Sequence, residues 1–274
     1  MNKAILLLFF CISINASAQK NSAAKEGEFG IKSIVKSFFQ EEKTIWTTPF
    51  KLKKSDFNYI FPAVAGLGVV YTLDNPLHRE ISYLNNHEQA VKSMNQGTTY
   101  LGDGALNIGI SSLFVLNGLL FKNQKSIETG YLSSKAIVHA GVVVFVLKTI
   151  AGRERPLTND HQGNFHFFTK LEAGSAYHSF PSGHTITAFS MATVIAKEYN
   201  NKRWVGATAY GLASLVGLSR IGLSKHWASD VFTGAVLGYT IGNFTYHFNE
   251  KKRSEEHTSE LQSRQYLVCR LLLE

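Results

Sequence analysis

Six long apolar segments restrict the fold of this chain more than any other feature of its sequence. They are rich in Gly, Ala, Ser and Val, and they are too long for β-strands. Small residues on such segments let neighbouring helices pack closely. The sequence therefore predicts an all-α protein, a helical bundle of about six core helices. The segments are Tyr59–Leu73, Ala105–Phe121, Leu132–Ile150, Thr185–Tyr199, Trp204–Leu218 and Ala228–His247.

The two ends of the chain are predicted to lie outside this bundle. Residues 1–18 combine a basic start, a short apolar run and small residues at the end, a pattern typical of a secretory signal peptide. Residues 19–56 form a polar N-terminal extension. Residues 253–274 resemble the translation of a common sequencing adapter, with a real polar helix as the alternative. We therefore assign the functional domain to residues 57–250 and expect the protein to be exported.

The charge of the chain favours anionic partners. The sequence contains 28 Lys and Arg residues and 20 Asp and Glu residues, which gives a net charge of +8. Phosphate esters and anionic lipid headgroups fit this excess, and no nucleic-acid motif is present. Both cysteines, Cys11 and Cys269, fall in the terminal segments. We therefore expect the domain to contain no disulfide, no cysteine metal site and no cysteine nucleophile.

The apolar segments make a weak case for membrane spans. Most are shorter than the roughly 20 apolar residues that a span needs, and they contain polar groups such as Asn107 and His139. If a cleaved signal left the N-terminus outside and every segment crossed, the third segment would end in the cytoplasm. The sequence therefore favours a periplasmic or membrane-surface bundle whose functional end lies outside the cytoplasm. Its oligomeric state stays open.

Three short stretches lie at the ends of the predicted helices. Lys148–Pro156 ends the third helix, Pro181–His184 begins the fourth, and Ser219–Asp230 joins the fifth to the sixth. Because adjacent helices in such a bundle are antiparallel, we expect all three stretches to meet at one end of it.

These stretches supply the groups that bind a phosphate. Lys148, Arg155 and Arg220 are cations, and converging cations suit the charge that phosphoryl transfer spreads over three oxygens. Ser182 and Gly183 precede a helix whose free N–H groups favour an anion. Taken alone, each cation would be interpreted as a partner of a helix dipole. Ser182 alone would be interpreted as an N-cap. Together they predict a site for a tetrahedral anion.

Two histidines and one carboxylate could supply proton transfer and nucleophilic attack at that site. His184 lies beside the predicted anion and could donate a proton to a leaving alcohol. Asp230 follows His226 by four residues, so both share one helix face. A carboxylate that accepts a hydrogen bond from one ring nitrogen fixes the tautomer of the histidine. The other ring nitrogen is then free to attack. Taken singly, Asp230 could cap the sixth helix and His226 could be a buried interfacial histidine.

The combined pattern resembles the type 2 phosphatidic acid phosphatase and vanadium haloperoxidase superfamily. Its three motifs, Lys-x6-Arg-Pro, Pro-Ser-Gly-His and Ser-Arg-x5-His-x3-Asp, are all complete in this chain. The resemblance implies the helical fold of that superfamily and metal-independent hydrolysis of phosphate esters through a phosphohistidine. It implies a nucleophilic His226 oriented by Asp230, a proton donor at His184, and phosphate binding by Lys148, Arg155, Ser182, Gly183 and Arg220.

The resemblance leaves the reaction and the substrate open in part. Lipid phosphates, small phosphomonoesters and pyrophosphates are all expected substrates. The first alternative is a vanadium-dependent haloperoxidase, with vanadate as the cofactor, and the second is a non-catalytic module that binds anions or lipids. The aromatic connection Leu157–Phe180 is predicted either to line the leaving-group pocket or to pack on the bundle. Asp74, His78 and Arg79 are expected near the same end, without an assigned role.

Overall fold

The computed structural model describes residues 31–158, 163–168 and 175–271. The predicted signal segment 1–18, with Cys11, lies outside the described residues. Within the described part the chain forms nine α-helices and no β-sheet, so the all-α prediction is confirmed. We number the helices α1 (Ile31–Thr47), α2 (Phe57–Thr72), α3 (Asp74–His87), α4 (Gln89–Tyr100), α5 (Gly104–Leu120), α6 (Gln124–Ala151), α7 (Gly183–Glu198), α8 (Arg203–Gly222) and α9 (Ala228–Leu271).

Helix α7 lies at the centre of the bundle, between α6, α8 and α9. Its Ile186 is fully buried and packs against Val143 of α6 and Ile241 of α9. On another face of α7, Ala188 packs against Val216 of α8. Because α7 is surrounded in this way, its first residue is fixed relative to the ends of all three neighbours.

Glycines on α9 let it approach α7 closely. Gly234, Gly238 and Gly242 are four residues apart and therefore share one helix face. A Cβ atom at Gly238 would lie 2.5 Å from the carbonyl oxygen of Ile186, and one at Gly242 would lie 2.5 Å from that of Ser190. Real Cβ atoms do not approach an oxygen so closely, so only glycine permits this helix pair.

Three helices were not among the six predicted core segments, because their sequences are short or mixed in polarity. Helices α3 and α4 carry many polar residues and pack on α8. They are joined to each other by a buried hydrogen bond from Asn95 Nδ2 to Asn85 Oδ1 of 3.0 Å. Helix α1 belongs to the predicted polar extension, and it buries Glu41 against α6.

Helix α6 is longer than the predicted segment Leu132–Ile150, because it begins at Gln124. Its length and apolar composition are sufficient to cross a membrane, which corrects the expectation that the segments are too short. Two bent helix pairs would raise the number of candidate spans in the described chain to three. They are Lys54–Thr72 with Asp74–His87, bent by 62°, and Gln89–Tyr100 with Gly104–Leu120, bent by 63°.

The last helix continues past the predicted domain boundary. Helix α9 runs without a break to Leu271, and Arg253 pairs with Glu128 of α6. The interpretation of residues 253–274 as an adapter, and the domain bounds 57–250, remain predictions.

Candidate active site

Backbone hydrogen bonds bring the three predicted stretches together at one end of the bundle. The amide of Ser179, two residues before the second stretch, donates to the carbonyl oxygen of Arg153 at 2.9 Å and so ties that stretch to the first. The amide of Ser182 donates to the carbonyl oxygen of Asp230 at 3.1 Å, which joins the second to the third. Lys148 Nζ also donates to the carbonyl oxygen of His178. The expected convergence is therefore what the structure shows.

Two arginines lie close together with buried donors that lack partners. The Nε atoms of Arg155 and Arg220 are buried and make no hydrogen bond within the described chain. Arg220 is held from the other side by Thr99 of α4, which accepts from Nη1 at 2.5 Å. Burial, followed by the neighbouring charge of Arg155, lowers the pKa of Arg220 to about 10. Two neighbouring cations whose buried N–H donors lack a partner are suited to binding an anion.

The start of α7 lies beside these cations and supplies backbone amides to the same site. Ser182 is buried, and its hydroxyl contacts the hydroxyl of Thr185 at 2.8 Å. It does not cap the helix amides, so the simple N-cap alternative is not what the structure shows. A Cβ atom at Gly183 would lie 3.8 Å from Cε of Lys148. The free amides of the first turn thus adjoin the lysine, as an anion site requires.

The ring of His226 is oriented by a backbone carbonyl and not directly by a carboxylate. Its Nδ1 donates to the carbonyl oxygen of Ser179 at 2.7 Å, whereas Oδ2 of Asp230 is 3.8 Å away. The predicted direct hydrogen bond from His226 to Asp230 is therefore replaced by one to Ser179. With Nδ1 as the donor, Nε2 carries the lone pair. Burial lowers the pKa of His226 to about 3, so the ring is neutral at neutral pH.

Asp230 is held by a buried network behind His226. Its Oδ2 accepts from the hydroxyl of Ser179 at 2.5 Å and from the amide of Trp227 at 2.9 Å. Its Oδ1 accepts from Nη1 of Arg153 at 2.6 Å. Burial would raise the pKa of Asp230, but His226, Arg153 and Ser179 lower it overall. The contact with the Trp227 amide also fits the alternative of a helix-capping role.

His184 lies in the first turn of α7 among the same cations. Burial, followed by the charge of Arg220, lowers its pKa to about 4, although Asp103 acts in the opposite direction. The turn before α5 packs directly on it, since a Cβ atom at Gly102 would lie 2.7 Å from Cβ of His184. A fourth positive charge is disfavoured here until an anion is bound.

Sequence reasoning assigned no role to two residues that complete this site. Asp74, expected near this end, lies there and accepts from Nη2 of Arg153 at 2.7 Å. Arg153 occupies one of the x positions of the first motif, Lys-x6-Arg-Pro, to which the sequence assigns no role. The signal for Asp74 was its position just after an apolar segment. His78 also lies at this end, with Nε2 at 2.9 Å from Ser224 Oγ, whereas Arg79 is exposed on the surface.

The aromatic connection Leu157–Phe180 is described only in part, and His161 lies outside the described residues. Phe165 stacks with Phe167 and lies over the guanidinium of Arg153, 4.9 Å from its Cζ. Phe167 and Phe168 are 68% and 77% exposed. One part of the connection thus packs on the bundle, and its predicted role in the leaving-group pocket remains a prediction.

A metal centre has no matching cluster in the part of the chain that the structure describes. No group of three or more His, Cys, Asp or Glu residues is arranged there to hold a metal ion. The site consists instead of cations, helix amides and neutral histidines, which are groups that bind an anion directly.

Known proteins share this sequence pattern. A family model described as the PAP2 superfamily matches residues 129–254. A lipid A 1-phosphatase of Porphyromonas gingivalis is 40% identical over 89 residues, which cover 32% of this chain and 20% of that protein. A lipid A 1-phosphatase of Rhizobium etli is 29% identical over 160 residues, which cover 54% of this chain and 67% of that protein. The match thus spans a fifth of one relative and two thirds of the other.

A solved structure shares the fold. The crystal structure of a transmembrane PAP2-type phosphatidylglycerolphosphate phosphatase from Bacillus subtilis superposes with a TM-score of 0.50 at 20% identity. The superposition covers 72% of this chain and 95% of that one. At this level of identity the likeness shows a common helical fold.

Proposed function

We propose that this chain is a PAP2-type phosphatase that hydrolyses lipid phosphates through a phosphohistidine intermediate, without a metal, and the match of residues 129–254 to the PAP2 superfamily model supports this. The observation that carries the proposal is the pair of orphaned donors on Arg155 and Arg220. They adjoin a neutral histidine whose tautomer is fixed by the Ser179 carbonyl. That arrangement binds a phosphoryl group and presents a nitrogen lone pair to its phosphorus.

The first step transfers the phosphoryl group to the protein. Nε2 of His226 attacks phosphorus, and the bond from phosphorus to the leaving oxygen breaks. His184, protonated once the substrate anion is bound, gives its proton to that oxygen, so the product leaves as a neutral alcohol. Lys148, Arg155 and Arg220 stabilise the charge on the three equatorial oxygens. The negative charge of Asp230 offsets the positive charge that forms on the His226 ring.

The second step releases phosphate by the reverse proton transfer. A water molecule takes the place of the alcohol, and neutral His184 accepts a proton from it as its oxygen attacks phosphorus. The bond between Nε2 of His226 and phosphorus breaks, and the ring returns to its neutral form. Phosphate then leaves, and His184 loses its proton as the anion departs.

The substrate class is a lipid that carries a terminal phosphate. The two relatives reported above are both lipid A 1-phosphatases, which favours a glycolipid phosphate. Helix α6 is a candidate membrane span, and α2 exposes Tyr59, Phe61 and Val64. These apolar surfaces support association with a membrane. The signal-like segment 1–18 favours export. With the N-terminus outside, one or three crossings that end with α6 would put the site in the cytoplasm, so we favour a bundle that rests on the periplasmic surface of the membrane with its site outside the cytoplasm.

A phosphate-release panel tests the function. The detergent-solubilised protein is offered lipid A 1-phosphate, phosphatidic acid, phosphatidylglycerol phosphate and a soluble aryl phosphate, each with and without a chelator. We expect release from at least one lipid phosphate, fastest from lipid A, and no effect of the chelator. The variant His226→Ala should lose at least about 10³-fold in rate, as removal of a covalent nucleophile does.

Three results would contradict this proposal. Release from none of the lipids would remove the function, and full activity of His226→Ala would remove the mechanism. Vanadate-dependent oxidation of bromide by peroxide, without ester hydrolysis, would establish the haloperoxidase alternative. Inhibition of hydrolysis by vanadate is the expected result, since vanadate mimics the tetrahedral phosphate.

A further inference from the structure

We propose that Asp74 is a positioning residue for the reaction, acting through Arg153 and Asp230 on His226. This inference rests on the proposed phosphatase function and deepens it. Asp74 lies on α3, outside the stretch matched by the family model, and none of the three motifs contains it.

Both carboxylate oxygens of Asp74 accept hydrogen bonds from groups behind the site. Its side chain is buried, with the whole residue 4% exposed. Oδ1 accepts from the amide of Ser229 at 2.8 Å, and Oδ2 accepts from the hydroxyl of Ser229 at 2.6 Å. Oδ2 also accepts from Nη2 of Arg153 at 2.7 Å. A carboxylate with three partners holds them in one arrangement.

Arg153 links Asp74 to Asp230. It is 2% exposed, and its two terminal nitrogens reach one carboxylate each, at 2.7 Å and 2.6 Å. Nη1 also donates to the hydroxyl of Ser229 at 2.7 Å. The guanidinium lies near the rings of Trp227 and Phe165. The planar fork of arginine suits this bridge, and a lysine could not make both ion pairs at these positions.

The network ends at the nucleophile through Ser179. Arg153 holds Oδ1 of Asp230, so that Oδ2 is directed to the hydroxyl of Ser179. The carbonyl of the same serine accepts from Nδ1 of His226. The orientation of the ring therefore depends on a chain that starts at Asp74. If Asp74 loses its charge, Arg153 is no longer shared, and Asp230 and Ser179 can shift.

A positioning role and a purely structural role differ in what they change. In the described part of the chain, Asp74 is hydrogen-bonded to Arg153 and Ser229 and not to Arg155 or Arg220, which are proposed to bind the phosphoryl oxygens. Losing Asp74 should therefore slow the chemical step while substrate and anion binding persist. A general loss of folded structure would lower the fraction of active protein and its thermal stability, so the number of anion-binding sites would fall together with Vmax while KM stayed constant. A positioning role instead lowers kcat per binding-competent molecule, so kcat is calculated from the number of sulfate-binding sites measured by calorimetry.

The variant Asp74→Asn tests this inference, with Asn85→Ala as the matched control. Asn85 is buried on the same helix and binds Asn95, so its loss destabilises α3 and α4 without touching Arg153. We expect kcat of Asp74→Asn to fall about 10- to 100-fold, as supporting partners of site residues typically do. KM and the affinity for sulfate should stay within about threefold. Asn85→Ala should keep its kcat despite a lower Tm.

The variant Arg153→Lys provides a second, independent test, should Asp74→Asn yield too little folded protein. It keeps the positive charge and loses the bridge, so it should show the same selective loss of kcat. The inference is overturned if either folded variant keeps the wild-type kcat, if KM rises in proportion, or if Asn85→Ala loses as much kcat. A wild-type protein that releases no phosphate would instead refute the proposed function.

Discussion

His184 is held neutral by its surroundings, and this links its proton to the occupancy of the site. Its pKa is lowered from 6.5 to about 4, by burial and then by Arg220. An anion bound among these cations cancels their repulsion, so the pKa of His184 should rise on binding. By linkage, the protein takes up a proton when it binds an anion at a pH above about 4, and the affinity for the anion rises as the pH falls.

Calorimetry with sulfate checks this coupling, because sulfate stays a dianion across the range and takes no proton itself. Titrations at pH 6 in two buffers of different ionisation enthalpy should show uptake of a proton per sulfate bound. Binding should be tighter at pH 5 than at pH 8, where Lys148 also contributes because burial lowers its pKa to about 7. The variant His184→Asn should bind sulfate with much less proton uptake. Undiminished uptake in that variant would assign the proton to another group.

At the residue scale, the sequence predicted which side chains meet but not how they are supported. The three motifs located Arg155, Arg220 and His226, because phosphate chemistry needs those residue types. The carbonyl of Ser179 could not be predicted as the partner of His226, since backbone groups carry no sequence signal. Asp74 could be placed near the site but not paired with Arg153, because that contact depends on the bend between α2 and α3.

Among the elements, the pair α7 and α9 determines the site most directly. The close approach permitted by Gly234, Gly238 and Gly242 places the start of α7 against the start of α9. Ser182 directly precedes α7, Asp230 lies in the first turn of α9, and the two are joined by a backbone hydrogen bond. The abundance of small residues in the sequence predicted close packing. It did not predict which helices would form the closest pair.

Helix α1 docks on the bundle through buried charges in addition to apolar contacts, such as that of Ile45 with the cluster of Val143 and Ile186. Lys135 of α6 binds Glu41 at 2.5 Å and Asn249 of α9 at 3.1 Å. His139 of α6 binds Glu42 at 2.7 Å and Glu41 at 3.0 Å. Glu41 and His139 are fully buried, so every member of this cluster depends on the others. Mixed polarity in the sequence therefore concealed a helix that is packed.

We predict that breaking this cluster is costly, and that replacing the pair by apolar residues costs less. Lys135→Met leaves Glu41 with one partner fewer and should lower the free energy of unfolding by about 3–5 kcal/mol. The double variant Lys135→Met with Glu41→Leu should recover part of that loss, because the buried carboxylate is removed with the ammonium, whereas Nε2 of His139 loses its partner. Thermal unfolding of the two single variants and the double variant measures this coupling. Additive losses would show that Lys135 and Glu41 do not act as a pair.

At the scale of the whole molecule, the helical class and the location of the site followed from the sequence, whereas the relation to a membrane did not. Apolar runs identified the core helices, but the polar residues at the start of α6 hid its full length. Two further apolar regions are divided by bends of 62° and 63°, so the sequence does not show either region as one continuous membrane span. These bends place α3 and α4 against α8, which brings Asp74 and Thr99 to the site.

The proposed reaction forms a covalent bond between the phosphoryl group and one nitrogen of His226. Rapid mixing of the protein with a ³²P-labelled lipid phosphate, followed by an alkaline quench and peptide mapping, detects that intermediate directly. We predict label on the peptide that contains His226, stable in alkali and lost in acid, and none in the variant His226→Ala. Product formed in the first turnover without any labelled peptide, or label on a residue other than His226, would contradict it.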